Sequence, residues 1–209
     1  MRILIVAATQ AEIPSCLQQP SSLKNNFDTL VSGVGMSLTA LNLGARLSTR
    51  SYDGIINVGI AGAFDYNIAL GQPVRIIQDR FGDLGAEDRE AFIPIDRLGF
   101  GTSRFYEHPF CAENKALHAL QKVSGTTVNT THGHAPSIES FLKRGSVQVE
   151  SMEGAAVFQA ADIFNLPCLQ VRTISNYVET RNREKWDIPL ALTRLNAWFE
   201  TFCENMTQE

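Results

Sequence analysis

Residues 54–62, Gly54-Ile55-Ile56-Asn57-Val58-Gly59-Ile60-Ala61-Gly62, form the stretch of sequence that decides the fold. The run from 54 to 58 is short and apolar, which predicts a buried strand, and the glycines after it indicate a turn at the strand's end. Apolar or β-branched runs on either side of this stretch predict five more strands, at residues 2–7, 29–32, 73–78, 126–130 and 168–174.

Helical patterns alternate with these strands along the chain. They cover residues 11–17, 37–48, 113–123, 137–144, 153–164 and 190–202. Strands that alternate with helices predict an α/β protein with helices on both faces of one sheet. Because no Pro-rich or Ser-rich linker divides the chain, residues 1–209 are predicted to form a single domain.

Residues 79–109 lack a clear period and are rich in Gly, Asp and Pro. A segment of this length without regular structure usually has a function, so we interpret it as a lid or as an arm at an interface between subunits. Its aromatic side chains could meet a neighbouring copy or, equally, be buried within the monomer. They are Phe81, Phe92, Phe100 and Phe105.

The composition and charge are those of a globular protein that binds a small molecule or another copy of itself. Hydrophobic residues make up 44% of the chain, and the net charge of −4 offers no basic surface for nucleic acid. The apolar run at residues 3–8 is too short for a membrane helix and no cleavage site follows it, so we expect a cytoplasmic protein without a membrane partner. The cysteines are widely separated, and His132 and His134 have no third ligand in sequence, so we expect no metal.

Polar or glycine-rich clusters follow most of the predicted strands. Glu12 follows the first strand, residues 33–35 follow the second, and residues 57–62 end the third. Residues 150–154 open the Ala-rich helix, and residues 172–176 end the last strand. Because ligands of such sheets bind at the carboxyl ends of the strands, we expect these clusters to converge on one pocket. Each cluster taken alone could be an ordinary turn or helix cap.

Glu12 and Glu153 are the candidate catalytic carboxylates in these clusters. Each is predicted near the start of a helix, whose positive end favours the ionised form. An ionised carboxylate can accept a proton from water or bind a sugar hydroxyl. Met152 could pack against a sugar or a base, although a core position is the ordinary role of methionine. The alternative for both glutamates is a helix start without chemistry.

The glycines of Gly33-Val34-Gly35 do not form a dinucleotide-binding fingerprint. The position three residues further on is Leu38 rather than Gly or Ala, so the pattern fails. Gly35 could instead let the backbone approach a sugar or purine closely. A plain turn glycine is an equal alternative.

Two of these motifs resemble the purine nucleoside phosphorylase and nucleosidase superfamily, and the resemblance extends over nearly the full chain. Residues 57–62 are similar to its glycine-rich turn beneath the substrate, and Ser151-Met152-Glu153-Gly154-Ala155-Ala156 is similar to its Met-Glu ribose motif. The resemblance implies a three-layer αβα fold with a central twisted mixed sheet. It also implies a homo-oligomer, a dimer or higher, and a nucleoside substrate without a cofactor.

The same resemblance implies roles for single residues. Glu153 is expected to bind the ribose hydroxyls, Glu12 to activate a water molecule, and Arg172 to lie near that water. Around them, the residues expected to contact the substrate are Gly35, Ala61, Gly62, Ser151 and Met152.

The superfamily contains phosphorylases and hydrolases, and the charges in this chain favour a hydrolase. A phosphorylase needs cationic groups for the phosphate dianion, for which Arg is the usual choice. In phosphorylases of this type an Arg precedes the glycine turn, where this chain has Asn57, and the first loop carries Glu12, which would repel phosphate. Water is therefore the expected nucleophile.

Asn176 is the candidate residue for recognition of the base. Adenosine-type nucleosidases of the family carry Asp at this position, where its carboxylate suits a 6-amino group. An amide has a donor and an acceptor, so it can donate to a 6-oxo oxygen and accept from a protonated ring nitrogen. The pairing predicts hypoxanthine as the leaving base, unless Asn176 only caps the strand end, which is an equal alternative.

The subfamily with the greatest resemblance is that of the futalosine hydrolases of menaquinone biosynthesis. The similarity lies in residues 81–88, 175–179, 181–183, 186 and 189–191. Futalosine carries hypoxanthine and, beyond the ribose, an aryl carboxylate that Arg181 or Arg183 could meet, although a solvated charge run is an equal interpretation. The nucleosidases have Ser where this chain has Ile60. The alternatives are a methylthioadenosine or S-adenosylhomocysteine nucleosidase and a non-catalytic nucleoside-binding protein.

Overall fold

The structure is a computed structural model that describes residues 1–18 and 26–206. Within those residues, the strands are β1 Ile3–Ala7, β2 Phe27–Val31, β3 Gly54–Ala63, β4 Pro73–Arg80, β5 Gly85–Asp88, β6 Ala91–Pro94, β7 Arg104–Tyr106, β8 Gln121–Thr127, β9 Val149–Ser151 and β10 Cys168–Tyr177. The helices there are α1 Ser15–Gln18, α2 Met36–Thr49, α3 Lys115–His118, α4 Ala135–Leu142, α5 Gly154–Phe164 and α6 Ile188–Met206.

A mixed sheet of eight strands forms the centre of the described residues. β1 pairs in parallel with β2 and β3, and β3 pairs in parallel with β10. The strands β3, β9, β8, β4 and β10 then pair in a closed ring, because β10 contacts both β3 and β4. β7 extends the sheet beside β4, while β5 and β6 form a separate hairpin.

Helices cover both faces of the sheet, which confirms the three-layer αβα prediction. Alternate side chains of β1 point to opposite faces of the sheet, as expected for a strand that is buried on both sides. Leu4 and Val6 belong to one apolar core, and Ile3 and Ile5 belong to the other. The first core packs against α2 and α5, and the second packs against α3 and α6. No helix within residues 1–18 and 26–206 has both the length and the apolar character needed to cross a membrane.

The helix predicted at residues 113–123 is wrong over most of its length. The helix α3 ends at His118, and β8 begins at Gln121. The apolar residues Leu117 and Leu120 give the segment a helical spacing, but the following β-branched residues pair with β4 and β9 inside the sheet. The strand predicted at 126–130 overlaps β8 only at Thr126 and Thr127, because β8 begins and ends earlier in the chain.

The segments at residues 11–17 and 79–109 also differ from the sequence prediction. Pro14 interrupts the first, which contains a single 3-10 turn at Gln10–Glu12 and then α1. The second contains the end of β4, the β5–β6 hairpin and β7 rather than an irregular excursion. Within it, Phe81 and Phe105 are buried against each other at a centroid distance of 5.4 Å, whereas Phe100 is exposed.

Candidate active site

A cavity of about 360 Å³ lies at the carboxyl ends of the parallel strands β1, β3 and β10. This volume is within the usual range for small-molecule sites. The predicted site residues that line it are Glu12, Ala61, Gly62, Ser151, Met152, Glu153 and Asn176. Side chains that are far apart in sequence therefore converge on one pocket, as the sequence predicts.

Glu12 is held at the cavity wall by donors only. Its Oε2 accepts from the Thr9 backbone N and hydroxyl, each at 2.8 Å, in a capping box. Its Oε1 accepts from the Ile60 N at 3.2 Å. The side chain is buried, and the capping box fixes the carboxylate although the turn is 3-10 rather than α-helical. The arrangement favours a carboxylate that accepts from a molecule in the cavity.

Glu153 is the N-cap residue of α5 and contacts both a backbone amide and a cation. Its Oε1 accepts from the Gly35 N at 3.0 Å, and its Oε2 lies 3.7 Å from Arg172 Nη1. Burial raises the pKa of Glu153 above its ordinary value, while Arg172 and the Gly35 amide oppose that rise. Gly35 thus holds the carboxylate from behind and has a φ of 92°, a conformation that favours glycine.

Arg172 is completely buried beneath the cavity. A Cβ atom added to Gly59 would lie 2.4 Å from Arg172 Nη1 and 2.8 Å from Glu12 Oε1, so only glycine leaves room for the two groups there. Among the described residues, Arg172 Nη1 and Nη2 have no hydrogen-bond partner. Buried donors of this kind are normally satisfied, so the N–H groups of these two nitrogens can donate to a bound molecule, although Nη1 also forms the ion pair with Glu153.

Two more buried polar side chains, Gln170 and Asp79, lie beneath Arg172. Arg172 Nε donates to Gln170 Oε1 at 3.0 Å, and Gln170 Nε2 donates to Asp79 Oδ2 at 3.0 Å. Burial raises the pKa of Asp79 to about 6, against the opposing effects of Gln170 and Arg172. The orientation of the Gln170 amide therefore depends on an acceptor at Asp79.

Asp79 also connects this group to the start of α5. Its Oδ1 accepts from the Thr127 hydroxyl at 3.1 Å, and the same hydroxyl accepts from the Ala155 N at 2.7 Å. A Cβ atom added to Gly154 would lie 2.2 Å from Asp79 Oδ2, so this position also needs glycine. The bonds fix the first turn of the helix that Glu153 caps.

Asn176 lies inside β10 rather than after its end. The register of β10 against β3 shifts between Ile174 and Asn176, and such a bulge re-aims a side chain. Asn176 Oδ1 accepts from the Ser175 hydroxyl at 2.9 Å, and Nδ2 donates to the Tyr177 carbonyl at 3.0 Å. One N–H and one lone pair of the amide remain for a ligand.

Arg181 and Arg183 lie outside the cavity lining and are exposed. The Arg181 guanidinium carbon lies 5.0 Å from the centroid of Trp186, and that ring does line the cavity. Arg183 begins a 3-10 turn at Arg183–Lys185. Of the two arginines, Arg181 is therefore the one joined to the cavity through a lining residue.

His132, Glu150 and Trp186 also line the cavity. Glu150 belongs to the cluster at residues 150–154 that the sequence predicts to converge on the pocket, whereas the sequence gives His132 no role beyond a loop position that could touch the purine and Trp186 none beyond the family resemblance. Asp79 and Gln170, which sequence reasoning missed, support the cavity from below. The pairing of His132 with Glu150 has no sequence signal, because the two are joined only in the folded chain. Among residues 1–18 and 26–206, no group of three or more His, Cys, Asp or Glu side chains could hold a metal ion.

Comparison with known proteins gives a consistent family and fold. The model of the phosphorylase superfamily matches residues 29–204. The futalosine hydrolase of Streptomyces coelicolor is 32% identical over 182 residues, covering 83% of this chain and 77% of that protein. That of Acidothermus cellulolyticus is 35% identical over 180 residues, covering 82% and 73%.

Solved structures share the fold over nearly the full length of the chain. Futalosine hydrolase of Helicobacter pylori superposes with a TM-score of 0.81 at 15% identity, covering 98% of this chain and 97% of that one. A methylthioadenosine/S-adenosylhomocysteine nucleosidase of Streptococcus pneumoniae superposes with a TM-score of 0.79 at 22% identity, covering 98% and 100%.

Proposed function

The chain belongs to the phosphorylase superfamily and, within it, to the futalosine hydrolase family, and on that basis we propose that it hydrolyses the N-ribosidic bond of futalosine. The products are hypoxanthine and dehypoxanthine futalosine. The observation that carries the proposal is the convergence of Glu12, Glu153 and Asn176 on a single cavity. Two carboxylates suit a cationic sugar, and an amide suits an oxygenated base.

Glu12 deprotonates and orients the attacking water. Its carboxylate accepts three hydrogen bonds from Thr9 and Ile60, so the remaining lone pair on Oε1 can accept a proton from water. Arg172 Nη1 and Nη2 make no hydrogen bond within the described residues, and the guanidinium lies beside Glu12, so its N–H groups can fix the oxygen of the same water. A buried cation and a carboxylate on one water molecule position it for attack on the anomeric carbon.

Glu153 binds the ribose hydroxyls and stabilises positive charge on the sugar. Glycoside hydrolysis passes through a transition state that resembles an oxocarbenium ion, so a fixed carboxylate nearby lowers its free energy. Gly35 and Arg172 hold the two oxygens of Glu153 in place. Met152, which also lines the cavity, packs against the ribose.

Asn176 recognises the 6-oxo purine with the N–H and the lone pair that its neighbours leave free. A site built on such hydrogen bonds rejects a base that leaves its polar groups unpaired. Trp186 and Arg181 offer the far end of the substrate an aromatic surface and a cation, respectively. We therefore assign the aryl carboxylate to Arg181 rather than to Arg183.

The alternative activity is that of a methylthioadenosine or S-adenosylhomocysteine nucleosidase, as in the structural relatives. The purified protein is incubated separately with futalosine and with 5′-methylthioadenosine, and released base is identified by chromatography. The proposal predicts hypoxanthine from futalosine at a kcat/KM at least about 100-fold higher than for adenine release. Equal or preferential release of adenine would support the alternative, and tight binding without turnover would indicate a binding protein.

We also propose that the enzyme acts in the cytoplasm as a homo-oligomer. Support comes from Val34, Leu38 and Leu41, whose side chains lie on or beside α2 and are about half exposed or more. Neighbouring apolar side chains at the surface are typical of protein interfaces. Light scattering that gives the mass of one chain at micromolar concentration would contradict the oligomer.

A further inference from the structure

Departure of the base requires a proton that the residues described so far do not supply. Hypoxanthine leaves as a neutral molecule only if a ring nitrogen is protonated as the glycosidic bond breaks. The Asn176 amide donates a hydrogen bond but keeps its protons, and Glu12 takes up a proton rather than releasing one. A titratable donor on the base side of the cavity is needed.

His132 has the position and the support for this role. It follows β8 and lines the same cavity as Asn176. Its Nδ1 is hydrogen-bonded to Glu150 Oε2, and its backbone N donates to Glu150 Oε1 at 2.9 Å. Because Nδ1 faces a carboxylate, it carries a proton, and Nε2 has no hydrogen-bond partner among the described residues.

The surroundings keep this pair in place. The Glu150 side chain is 3% exposed and the His132 side chain 15% exposed, so the carboxylate is buried while the imidazole reaches the cavity. The His132 ring also packs against Phe141, at a centroid distance of 4.4 Å, and against the edge of Phe64. A buried carboxylate behind a histidine fixes the direction of the ring and keeps the proton on Nδ1, as in other acid–base sites.

On the basis of the proposed function, we propose that His132 is the general acid, protonating the leaving purine from Nε2, and that Glu150 positions it. As the bond between the anomeric carbon and the base nitrogen breaks, its electron pair goes to the purine, which takes the His132 proton. Water forms the new bond to the anomeric carbon and gives its proton to Glu12. Proton exchange with solvent then returns Glu12 to its carboxylate form and His132 to its imidazolium form.

The test compares the wild type with H132Q, E150Q and H134Q for hypoxanthine release from futalosine. Gln places an N–H donor near the position of Nε2 but cannot transfer its proton, so H132Q separates hydrogen bonding from acid catalysis. We expect kcat of H132Q to fall about 100-fold or more with KM within about threefold of the wild type. For E150Q we expect a smaller loss, about tenfold, because the imidazole remains. His134, in the same loop but exposed and outside the cavity, serves as the matched control.

Thermal unfolding of each variant checks that it is folded, and H132N, which keeps a donor beside Glu150, replaces H132Q if that variant does not fold. If H132Q or H132N retains kcat within about threefold of the wild type, the proposed acid role is wrong. An equal loss in H134Q would also overturn it. A wild type that releases no hypoxanthine contradicts the proposed function itself, which the same assay reports separately.

Discussion

The cavity is flanked by two ionic groups that differ in how they meet solvent. The Arg172 group, with Glu12, Glu153 and Asp79, is buried, and its guanidinium is 0% exposed. The pair of His132 and Glu150 stands at the cavity wall, with the imidazole 15% exposed. Both groups hold a nitrogen-bearing side chain against carboxylates. Arg172 keeps its protons, whereas the imidazole of His132 is in contact with solvent and can give up a proton and recover it.

The difference matches two chemical tasks. A buried arginine stays charged, so fixed bonds around it can position water and sugar without changes in protonation. A histidine that must donate a proton and recover it has to remain in contact with solvent. The predictions below test whether the two groups divide the work in this way, from the largest expected effect to the smallest.

Replacing Glu12 by Gln removes the proposed base for water activation. The amide keeps the size of the side chain but cannot accept the proton, so we expect kcat to fall about 1,000-fold. Hypoxanthine release from futalosine measures this loss, and circular dichroism checks the fold. Turnover near the wild-type rate would show that water is activated elsewhere.

Substitutions at Asp79 and Gln170 test whether the hydrogen bonds beneath Arg172 hold its guanidinium in a fixed orientation. In D79N, the new NH₂ group faces the Gln170 Nε2 that donates to Asp79 in the wild type. The Gln170 amide must then turn over, which places its own NH₂ group against the Arg172 Nε donor. We expect kcat to fall about 100-fold, because small misplacements of catalytic groups carry such costs.

The double variant D79N/Q170E restores the bonds, since the new Asn donates to the new Glu, which accepts from Arg172. We expect it to recover most of kcat. If D79N has no effect, or the double variant is no better than D79N, the bonds beneath Arg172 do not position it.

The buried Asp79 also predicts how stability depends on pH. Its folded pKa of about 6 lies above the ordinary 3.8, so its contribution is fully present below pH 3.8 and is lost as pH rises through about 6. Urea unfolding should therefore show a loss on the order of 3 kcal/mol over that window for the wild type relative to D79N. Glu153, whose pKa is also raised, is common to both proteins. A difference that does not vary with pH would refute the raised pKa.

Asn176→Asp tests the base side. A carboxylate suits a 6-amino group, so we expect the ratio of kcat/KM for futalosine to that for its adenine analogue to fall about tenfold or more. Competition between the two substrates in one mixture measures the ratio directly. Unchanged selectivity would mean that Asn176 only stabilises the bulge in β10.

The smallest expected effect is at Arg181, which lies outside the cavity lining beside Trp186. R181A removes the exposed cation that we assign to the substrate carboxylate. We expect KM for futalosine to rise about fivefold, with little change in KM for inosine, which lacks the aryl acid. R183A should show a smaller rise, because Arg183 does not contact a cavity-lining ring. A larger rise in R183A would transfer the assignment to that residue.

The strands β1 to β4 and β10, the two candidate carboxylates and the convergence of the clusters could be predicted from the sequence, because strand ends and glycines leave local signals. It did not indicate that Asp79, Gln170 and Arg172 form one group, since the bonds join β4 to β10 across 91 residues. The spacing of Leu117 and Leu120 predicted a helix that continues to residue 123, but residues 121–127 form β8 because they pair with β4 and β9. The partner of His132 could not be predicted for the same reason, since His132 lies in the loop after β8 and Glu150 lies 18 residues away in β9.

Water as the nucleophile is the central claim, and product analysis in the presence and absence of phosphate tests it most directly. Futalosine is incubated with the wild type in phosphate-free buffer and then with added inorganic phosphate, and the sugar product is identified by mass spectrometry. The account predicts the same rate of hypoxanthine release in both buffers and a free sugar hydroxyl in each. A rate that requires phosphate, with a sugar 1-phosphate as the product, would contradict it.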